Sequence, residues 1–226
     1  MIDWAAFLLT AKVATWTTAI LLVIGLPTAY ALAYTRSRLK FVADALVALP
    51  LVLPPTVLGF YVLIAIGPQS PVGRVYESFS GQILPFSFQG LVIASVIYSL
   101  PFAIQPMAAA FGQVDRSLIE ASRCLGASRL RTFFKVILPQ SIAGVVVGVV
   151  LSFAHTLGEF GVVLMVGGNI PNETRTVSIS IYDEVQALNY DAAGQTSLVL
   201  LAISFAVLVV MYGLQHKAWS PWSVRS

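Results

Sequence analysis

Two ionisable side chains lie four residues apart in an apolar stretch of this sequence, and their types would permit proton transfer. His155 and Glu159 are separated by about one helical turn and would share one face of an α-helix. Ionisable groups at membrane depth are costly and are candidates for function, so the pair would suit a proton-coupled secondary transporter. The alternative, which we favour, is that Glu159, directly after Gly158, caps or anchors the apolar segment 160–168.

The remaining polar residues exclude several kinds of chemistry. The two histidines and the single Cys124 are too few for a zinc motif, a cysteine cluster or a disulfide framework. No lysine follows a glycine, so the phosphate-binding loop that ends in Gly-Lys-Ser/Thr is missing. We therefore expect a chain that is not an enzyme, with no catalytic residue, no metal, no bound cofactor and no nucleic-acid partner.

The composition places the chain in a membrane. Of its 226 residues, 58% are hydrophobic and only 10% are charged, and the mean hydropathy is +0.85. Soluble domains carry about 25% charged residues, so this chain could not cover its surface with polar groups in water. The first residues lack the basic leader of a cleavable signal peptide, and we expect the first apolar stretch to be retained.

Five windows of the sequence are long and apolar enough to cross a membrane, which takes about 20 residues. The windows are 13–34, 45–66, 90–111, 136–157 and 192–215. We predict an all-α membrane protein, a polytopic bundle of about five transmembrane helices in a single domain that covers residues 1–226. The segment 160–168 spans only about 14 Å as a helix, so it either extends the fourth window or is re-entrant.

The basic residues predict the orientation, because Lys and Arg collect in cytoplasmic loops. Of 13 basic residues, we place ten on one side of the membrane and three on the other. The first side holds Arg36, Arg38, Lys40, Arg116, Arg123, Arg129, Arg131, Lys135, Lys217 and Arg225, and the second holds Lys12, Arg74 and Arg175. We predict a multi-pass protein of the cell membrane with its N-terminus outside and its C-terminus in the cytoplasm.

Prolines and glycines mark two of the windows. In the second window, Pro50, Pro54 and Pro55 each remove a backbone donor and bend the helix. A membrane tolerates such breaks where protein or a water-filled cavity satisfies the freed carbonyls. The prolines therefore indicate either a helix that lines a pathway or a bent packing helix. In the fourth window, Gly144 and Gly148 form a small-xxx-small pattern that permits close helix approach.

The loop between the third and fourth windows, residues 112–135, carries signals of ordered structure. Ser117 is followed by Glu120 three residues later, which predicts a capping box at a helix start. Gly126 can adopt the left-handed conformation that ends a helix, and Ser128 can cap a second, basic segment. Apolar residues recur at helical spacing along the first segment at Val114, Leu118, Ala121 and Leu125.

Two interpretations of this loop remain open from the residues alone. An amphipathic helix with arginines can lie flat on anionic lipid headgroups. The same helix can instead project from the membrane and dock on a cytosolic partner. A third class of protein, a non-transporting membrane scaffold, would need neither such a loop nor a proline-broken span.

The same loop resembles the "EAA" signature of bacterial ABC importer permeases. That signature is EAA, three residues, G, nine residues, I, one residue and LP. Here Glu120 begins the match, Gly126 follows at the expected spacing, and Leu138-Pro139 ends it. The sequence departs twice, with Ser122 in place of the second alanine and Val136 in place of the isoleucine.

The resemblance implies the type I permease fold, with this loop as a coupling helix that inserts into an ATP-hydrolysing subunit. The residues expected to couple the two subunits are Ser117, Leu118, Glu120, Ala121, Ser122, Leu125, Gly126, Arg129, Leu138 and Pro139. The implied partners are a second copy of the chain, two cytosolic ATP-binding subunits that hold ATP and Mg, an extracytoplasmic oxyanion-binding protein and membrane lipid. The two copies would enclose one pathway.

A second stretch, "LGEFGVVLMVGGNIPNETRTVSISIYDEVQ", is similar to permeases for tetrahedral oxyanions, molybdate above all. Sulfate permeases share parts of it in usually longer chains, and tungstate is chemically inseparable from molybdate at this level. A carboxylate would repel an oxyanion, so we expect Arg175 rather than Glu159 to meet an anion or an acidic docking protein, although a lone exposed arginine is usually just solvated. The candidate pathway or gate residues are Pro54, Pro55, His155, Glu159 and Arg175.

Overall fold

The computed structural model describes residues 2–219, with side chains described to 210 and at 212 and 213; Arg225, placed on the cytoplasmic side above, lies outside them. Within the described residues the chain is helical and contains no β-strand. The helices are α1 (Trp4–Tyr34), α2 (Lys40–Val52), α3 (Pro55–Ile66), α4 (Pro71–Ser80), α5 (Phe88–Gly112), α6 (Arg116–Cys124), α7 (Arg129–Thr132), a π-helix (Phe133–Ile137), α8 (Leu138–Gln140), α9 (Ile142–Leu157), α10 (Gly161–Gly167), α11 (Val177–Gln186) and α12 (Tyr190–Trp219).

Helices α1 and α5 form a parallel pair at the centre of the bundle. Val13 near the start of α1 packs with Leu91 near the start of α5. Leu32 near the end of α1 belongs to the same cluster as Phe111 near the end of α5. We call the end where both helices begin the N-face, and the end where both finish the loop face. The helix α1 begins nine residues before the first predicted window, because Asp3 caps it by accepting a hydrogen bond from the Ala6 N–H at 3.1 Å.

Helix α9 packs against α5 through its two glycines. A Cβ atom added at Gly148 would lie 2.6 Å from the carbonyl oxygen of Ala103, and one added at Gly144 would overlap the Cβ of Ala110. Only residues without a side chain fit at these two positions. The close approach predicted from the small-xxx-small pattern is therefore confirmed.

The second predicted window is not one helix. Helices α2 and α3 meet at an angle of 112° around Leu53 and Pro54. Pro54 and Pro55 lack the N–H groups that would bond the carbonyls of Pro50 and Leu51 in a continuous helix. The bend predicted from the prolines is therefore present and divides the window 45–66 between two helices, and Pro55 starts α3, where its missing N–H costs nothing.

The fourth predicted window also contains a break. Residues 129–140 and helix α9 meet at 76° around Ser141. Pro139 cannot donate to the carbonyl of Lys135, and the preceding turn widens into the π-helix. The hydroxyl of Ser141 donates to the Ala110 carbonyl at 3.2 Å and fixes the bend against α5. The window 136–157 is therefore divided by a bend, and its straight apolar helix begins at Ile142.

The short apolar segment after α9 forms a separate helix, α10, and does not extend α9. The chain leaves α9 at Gly158 and starts α10 at Gly161. A Cβ atom at Gly161 would lie 2.8 Å from the Cβ of Pro55, and one at Gly59 would lie 2.7 Å from that of Met165. These contacts pack α10 tightly against α3, so Pro55 serves the packing of a bent helix.

Three helices are long and apolar enough to cross a membrane: α1, α5 and the part of α12 from Tyr190 to Val210. Counting each bent pair as one span raises the number to five among the described residues. The fold is therefore an all-α bundle of three to five membrane helices, with two breaks that lie close to Pro54 and Pro139.

Candidate functional site

The loop on the loop face begins with a helix cap that differs from the predicted one. Asp115 caps α6, and its Oδ1 atom accepts a hydrogen bond from the Ser117 N–H at 2.8 Å. This backbone hydrogen bond, with a second from the Ser117 side chain, lowers the pKa of the Asp115 carboxyl below its ordinary value. The predicted capping box with Ser117 as the cap is therefore wrong, because an aspartate two residues earlier takes the position.

The end of α6 agrees with the prediction. Gly126 has φ +77° and lies in the left-handed region. Its N–H donates to the Arg123 carbonyl at 2.9 Å, and the Ala127 N–H donates to the Ser122 carbonyl at 3.1 Å. These bonds satisfy carbonyls that a helix end leaves free. A residue with a Cβ atom is strained in this conformation, so the glycine sets where α6 stops.

The two segments of the loop are tied together by hydroxyl groups. Ser122 Oγ lies 3.1 Å from Thr132 Oγ1, and Thr132 is buried. Ser128 accepts a hydrogen bond from the Arg131 N–H at 3.3 Å and caps α7, as predicted. Because Ser122 departs from the signature alanine, the two segments gain a hydrogen bond that alanine could not make.

The base of the loop is continuous with the core of the bundle. Val114, Ile119 and Ile137 are buried in one cluster with Leu21 of α1 and Phe111 of α5. The apolar residues of the loop thus divide between two faces, and only Val114 of the predicted stripe is buried. Ile119, which the stripe did not include, is the residue of α6 that packs inward.

Aromatic contacts lock the second segment to the ends of α1 and α5. The ring of Phe133 lies 5.4 Å from that of Tyr30 and 5.7 Å from that of Phe111, both edge to face. The hydroxyl of Tyr34 donates to the Phe111 carbonyl at 2.6 Å. A displacement of the loop must therefore displace these helix ends as well.

The outer surface of the loop exposes four large apolar side chains among its charged ones. Leu118 is 45% exposed, Leu125 88%, Leu130 72% and Phe134 58%. We call these four residues the exposed loop patch. Leu130 and Phe134 were missed in the sequence, although they are four residues apart and lie at helical spacing. Of the other predicted coupling residues, Ser117, Glu120, Ala121, Arg129 and Pro139 are exposed and Leu138 is half-buried.

The predicted histidine and glutamate belong to a polar cluster between α5 and α9. Ser99 Oγ lies 2.9 Å from His155 Nδ1 and 3.0 Å from Thr156 Oγ1. His155 therefore bonds α5 and not Glu159 within the part of the chain that the structure describes. Sequence reasoning missed Ser99, although the polar pairs 95/99 and 152/156 recur at helical spacing in apolar helices.

Glu159 is buried without a hydrogen-bond partner. Its side chain is 4% exposed, and neither carboxyl oxygen is bonded within residues 2–219. Ser95 Oγ faces the carboxyl from α5 but is itself unbonded. The capping bond to segment 160–168 that we considered is thus missing among the described residues, and so is a direct relay to His155.

Arg175 is held in a network on the N-face and is not a lone arginine. Its Nε donates to Asn169 Oδ1 at 2.7 Å, and Asn169 Nδ2 donates to Asp183 Oδ2 at 2.6 Å. A guanidinium nitrogen of Arg175 lies 3.6 Å from the same Asp183 oxygen. The network ties the loop after α10 to α11, and sequence reasoning missed both partners because they lie 6 and 8 residues away in chain order.

A groove of about 350 Å³ lies between the end of α2, α5 and α9. It is lined by Leu51 at the end of α2, by α5 and by Leu151 of α9. The Pro54 break follows directly after the groove wall of α2. Among residues 2–219 no three His, Cys, Asp or Glu side chains are grouped so that they could hold a metal ion.

Comparison with known proteins identifies the class. Residues 21–222 match the family of binding-protein-dependent transport system inner membrane components. The match covers most of the chain, and the chain belongs to this family of ABC importer permeases. It is thus a multi-pass transport subunit of the inner membrane and not an enzyme.

Individual proteins of known name or structure are similar to this chain over most of its length. The molybdenum transport system permease protein ModB of Azotobacter vinelandii is 50% identical over 210 residues, which is 93% of each chain. A probable sulfate transport system permease protein of Prototheca wickerhamii is 36% identical over 76% of this chain and 67% of its own. A solved structure of the MetNI methionine ABC transporter in inward facing conformations has the same fold, with a TM-score of 0.74, 19% identity and 94% of both chains covered.

Proposed function

We propose that this chain is the membrane-spanning subunit of an ATP-driven importer that carries molybdate into the cell. The observation that carries the proposal is the 50% identity over 93% of both chains to a molybdenum transport permease. The sulfate permease is less similar and is matched over a smaller share of both chains. Sulfate and tungstate are the alternative cargoes, since both are tetrahedral oxyanions.

The loop on the loop face is the proposed contact with two cytosolic ATP-binding subunits. Its exposed loop patch gives a partner an apolar surface, and its base is packed into the bundle core. A stiff element with one end in a partner and the other end in the spans can pass a movement from one to the other. ATP with Mg would be held by the partner subunits, because this chain carries no phosphate-binding loop.

Further partners follow from the same proposal. A second copy of the chain would complete the pathway, and an extracytoplasmic oxyanion-binding protein would dock on the N-face. In this arrangement the N-terminus lies outside and the C-terminus in the cytoplasm, because the loop face carries the basic loops. The Arg175 network supports the N-face as a docking side, since it makes the loop after α10 rigid.

Reconstitution tests the proposed function. The tagged chain would be purified with the subunits that accompany it and placed in vesicles with ATP inside and its binding protein outside. We expect molybdate uptake that requires ATP and continues when a protonophore collapses the proton gradient. Uptake that needs no ATP and stops with the protonophore would overturn the proposal in favour of a proton-coupled transporter.

A further inference from the structure

The break between α2 and α3 leaves four backbone carbonyls without a backbone donor. In a continuous helix the carbonyls of residues 50–53 would accept from the N–H groups of residues 54–57. Pro54 and Pro55 have no N–H, and the Val57 N–H donates to the Pro54 carbonyl instead, at 2.9 Å. Among residues 2–219 no backbone N–H donates to any of the four carbonyls.

The break lies near the middle of the membrane. Leu51, directly before it, lines the same groove as Phe102, which is close to the midpoint of α5 (Phe88–Gly112). Lipid offers no hydrogen-bond donor at this depth, so non-helical backbone is stable there only against protein or water. The four carbonyls therefore do not face acyl chains.

One side of the break is packed and the other is open. Pro55 contacts the bundle, since a Cβ atom at Gly161 would lie 2.8 Å from its Cβ. In contrast, Val52 is 80% exposed, and Thr56 is exposed as well. Gln105, which lines the groove at the end of α2, is also exposed, and a polar amide at this depth again needs water or protein around it.

A second copy packed directly on the break would not supply the missing donors. In a two-fold contact the same patch of both copies meets, so the four carbonyls of one chain would face the four carbonyls of the other. Water can donate to both sets at once. A layer of water between the copies therefore satisfies this backbone, whereas a dry contact does not.

We propose that the open side of the break, residues 51–56, lines a water-filled part of the pathway through which the oxyanion crosses. This inference rests on the proposed function, which supplies the pathway and the cargo. The carbonyl oxygens carry partial negative charge and would not bind an anion directly, so water lies between them and the cargo. The proline pair thus provides hydrated backbone in the middle of a bundle whose neighbouring helices α1 and α5 are continuous.

Cysteine labelling tests this inference on the assembled complex in lipid nanodiscs, where a reagent reaches both membrane faces. Val52→Cys in a Cys124→Ser chain is treated, with and without ATP, with a charged methanethiosulfonate reagent that does not enter lipid. Val23→Cys in the same background is the matched control, because Val23 is 73% exposed on α1. It lies at a similar depth, since a Cβ atom at Gly25 would lie 3.7 Å from Ile104 of α5. We expect Val52→Cys to react about tenfold faster, because the reactive thiolate forms in water and not in lipid.

Further variants and readouts make the outcome decisive. Thr56→Cys is a second reporter in the break and should also react fast. Equally slow labelling of Val52→Cys and Val23→Cys would overturn the inference. Disulfide-linked dimers of Val52→Cys would then assign the break to a dry contact between copies, and their absence would assign it to lipid. Equally fast labelling of both would also overturn it, because contact with water would not be particular to the break.

Uptake by labelled complexes in vesicles connects the water to the pathway. Labelled Val52→Cys should lose most molybdate uptake, because the attached group narrows the pathway, whereas labelled Val23→Cys should keep it. Unchanged uptake by labelled Val52→Cys would place the water outside the pathway and overturn the inference. The unmodified complex reports on the proposed function separately: if it carries another anion while labelled Val52→Cys blocks that uptake, only the proposed cargo fails.

Discussion

At the scale of single residues, Ser122 shows how one hydroxyl changes a loop. The signature of ABC importer permeases has alanine at this position, and here the serine oxygen lies 3.1 Å from Thr132 Oγ1. Thr132 is buried and makes no other side-chain hydrogen bond within residues 2–219. Loss of Ser122 would leave a buried hydroxyl without a partner.

The first prediction concerns this bond. Ser122→Ala should lower the free energy needed to open the loop by about 1 kcal/mol, because the buried Thr132 hydroxyl loses its hydrogen-bond partner. Trypsin, which cleaves at the exposed Arg123 and Arg129, should then cut the loop about fivefold faster under conditions where cleavage follows opening. The double variant Ser122→Ala with Thr132→Val should return toward the original rate, and an unchanged rate in the single variant would contradict the bond's role.

The second prediction concerns Gly126. Gly126→Val should strain the end of α6 by about 1–2 kcal/mol, because valine is disfavoured at φ +77°. We expect less ATP-binding subunit to co-purify with the tagged chain. Gly112→Val is the matched control, since a Cβ atom there meets nothing within 4 Å and the backbone is not left-handed. If both variants co-purify with the same amount of ATP-binding subunit, the left-handed glycine that ends α6 does not matter for docking.

The structural roles of loop residues could be predicted from the sequence where they depend only on near neighbours in the chain. Gly126 and Ser128 act within a few residues of themselves, and the structure places both as expected. Asp115 displaced Ser117 as the cap because two capping residues stood close together. The partners of Arg175 and His155 depend on which helices meet, and local spacing carries no information about that.

At the scale of elements, the broken helices explain the bends of the bundle. The second and fourth windows are bent by more than 70° next to Pro54 and Pro139, whereas Pro27 lies inside the continuous helix α1 and Pro101 and Pro106 lie inside the continuous helix α5. The apolar composition of the two bent windows predicted membrane helices, but their backbone donors were missing. Composition therefore located the apolar segments, but the presence of a proline alone did not tell which of them would break.

The third prediction concerns the contact between α9 and α5. Gly148→Val should destabilise the chain by about 1–3 kcal/mol or prevent folding, because the new side chain would meet the Ala103 carbonyl at 2.6 Å from its Cβ. Thermal unfolding of the detergent-solubilised chain measures this. The control Gly194→Val lies on α12 with nothing within 4 Å, and a similar loss there would show that glycine itself, rather than the contact, matters.

At the scale of the whole molecule, the two faces differ in what they carry. The loop face has the exposed loop patch, and the N-face has the Arg175 network. The fold class followed from composition and span count, and the relative sides of the loops follow from the parallel run of α1 and α5. The absolute direction in the membrane is a prediction from charge alone.

The fourth prediction uses the single cysteine to test that direction. Cys124 is exposed on α6, so a membrane-impermeant maleimide should label it in inside-out vesicles and not in intact cells. Glu173→Cys in a Cys124→Ser background should give the opposite pattern, since residue 173 is exposed on the N-face loop. Labelling of Cys124 from outside would reverse the topology and remove the basis for docking of cytosolic subunits.

The burial of Ile119 and Ile137 in the central cluster has a consequence for how the molecule comes apart. Surface loops commonly open on their own, at a small fraction of the free energy of global unfolding. A loop whose inner side chains share a cluster with Leu21 and Phe111 should open together with those helices. We therefore expect the backbone amides of Ile119 and Ile137 to exchange with deuterium as slowly as those in the middle of α5, because the loop and these two helices would form one cooperative unit.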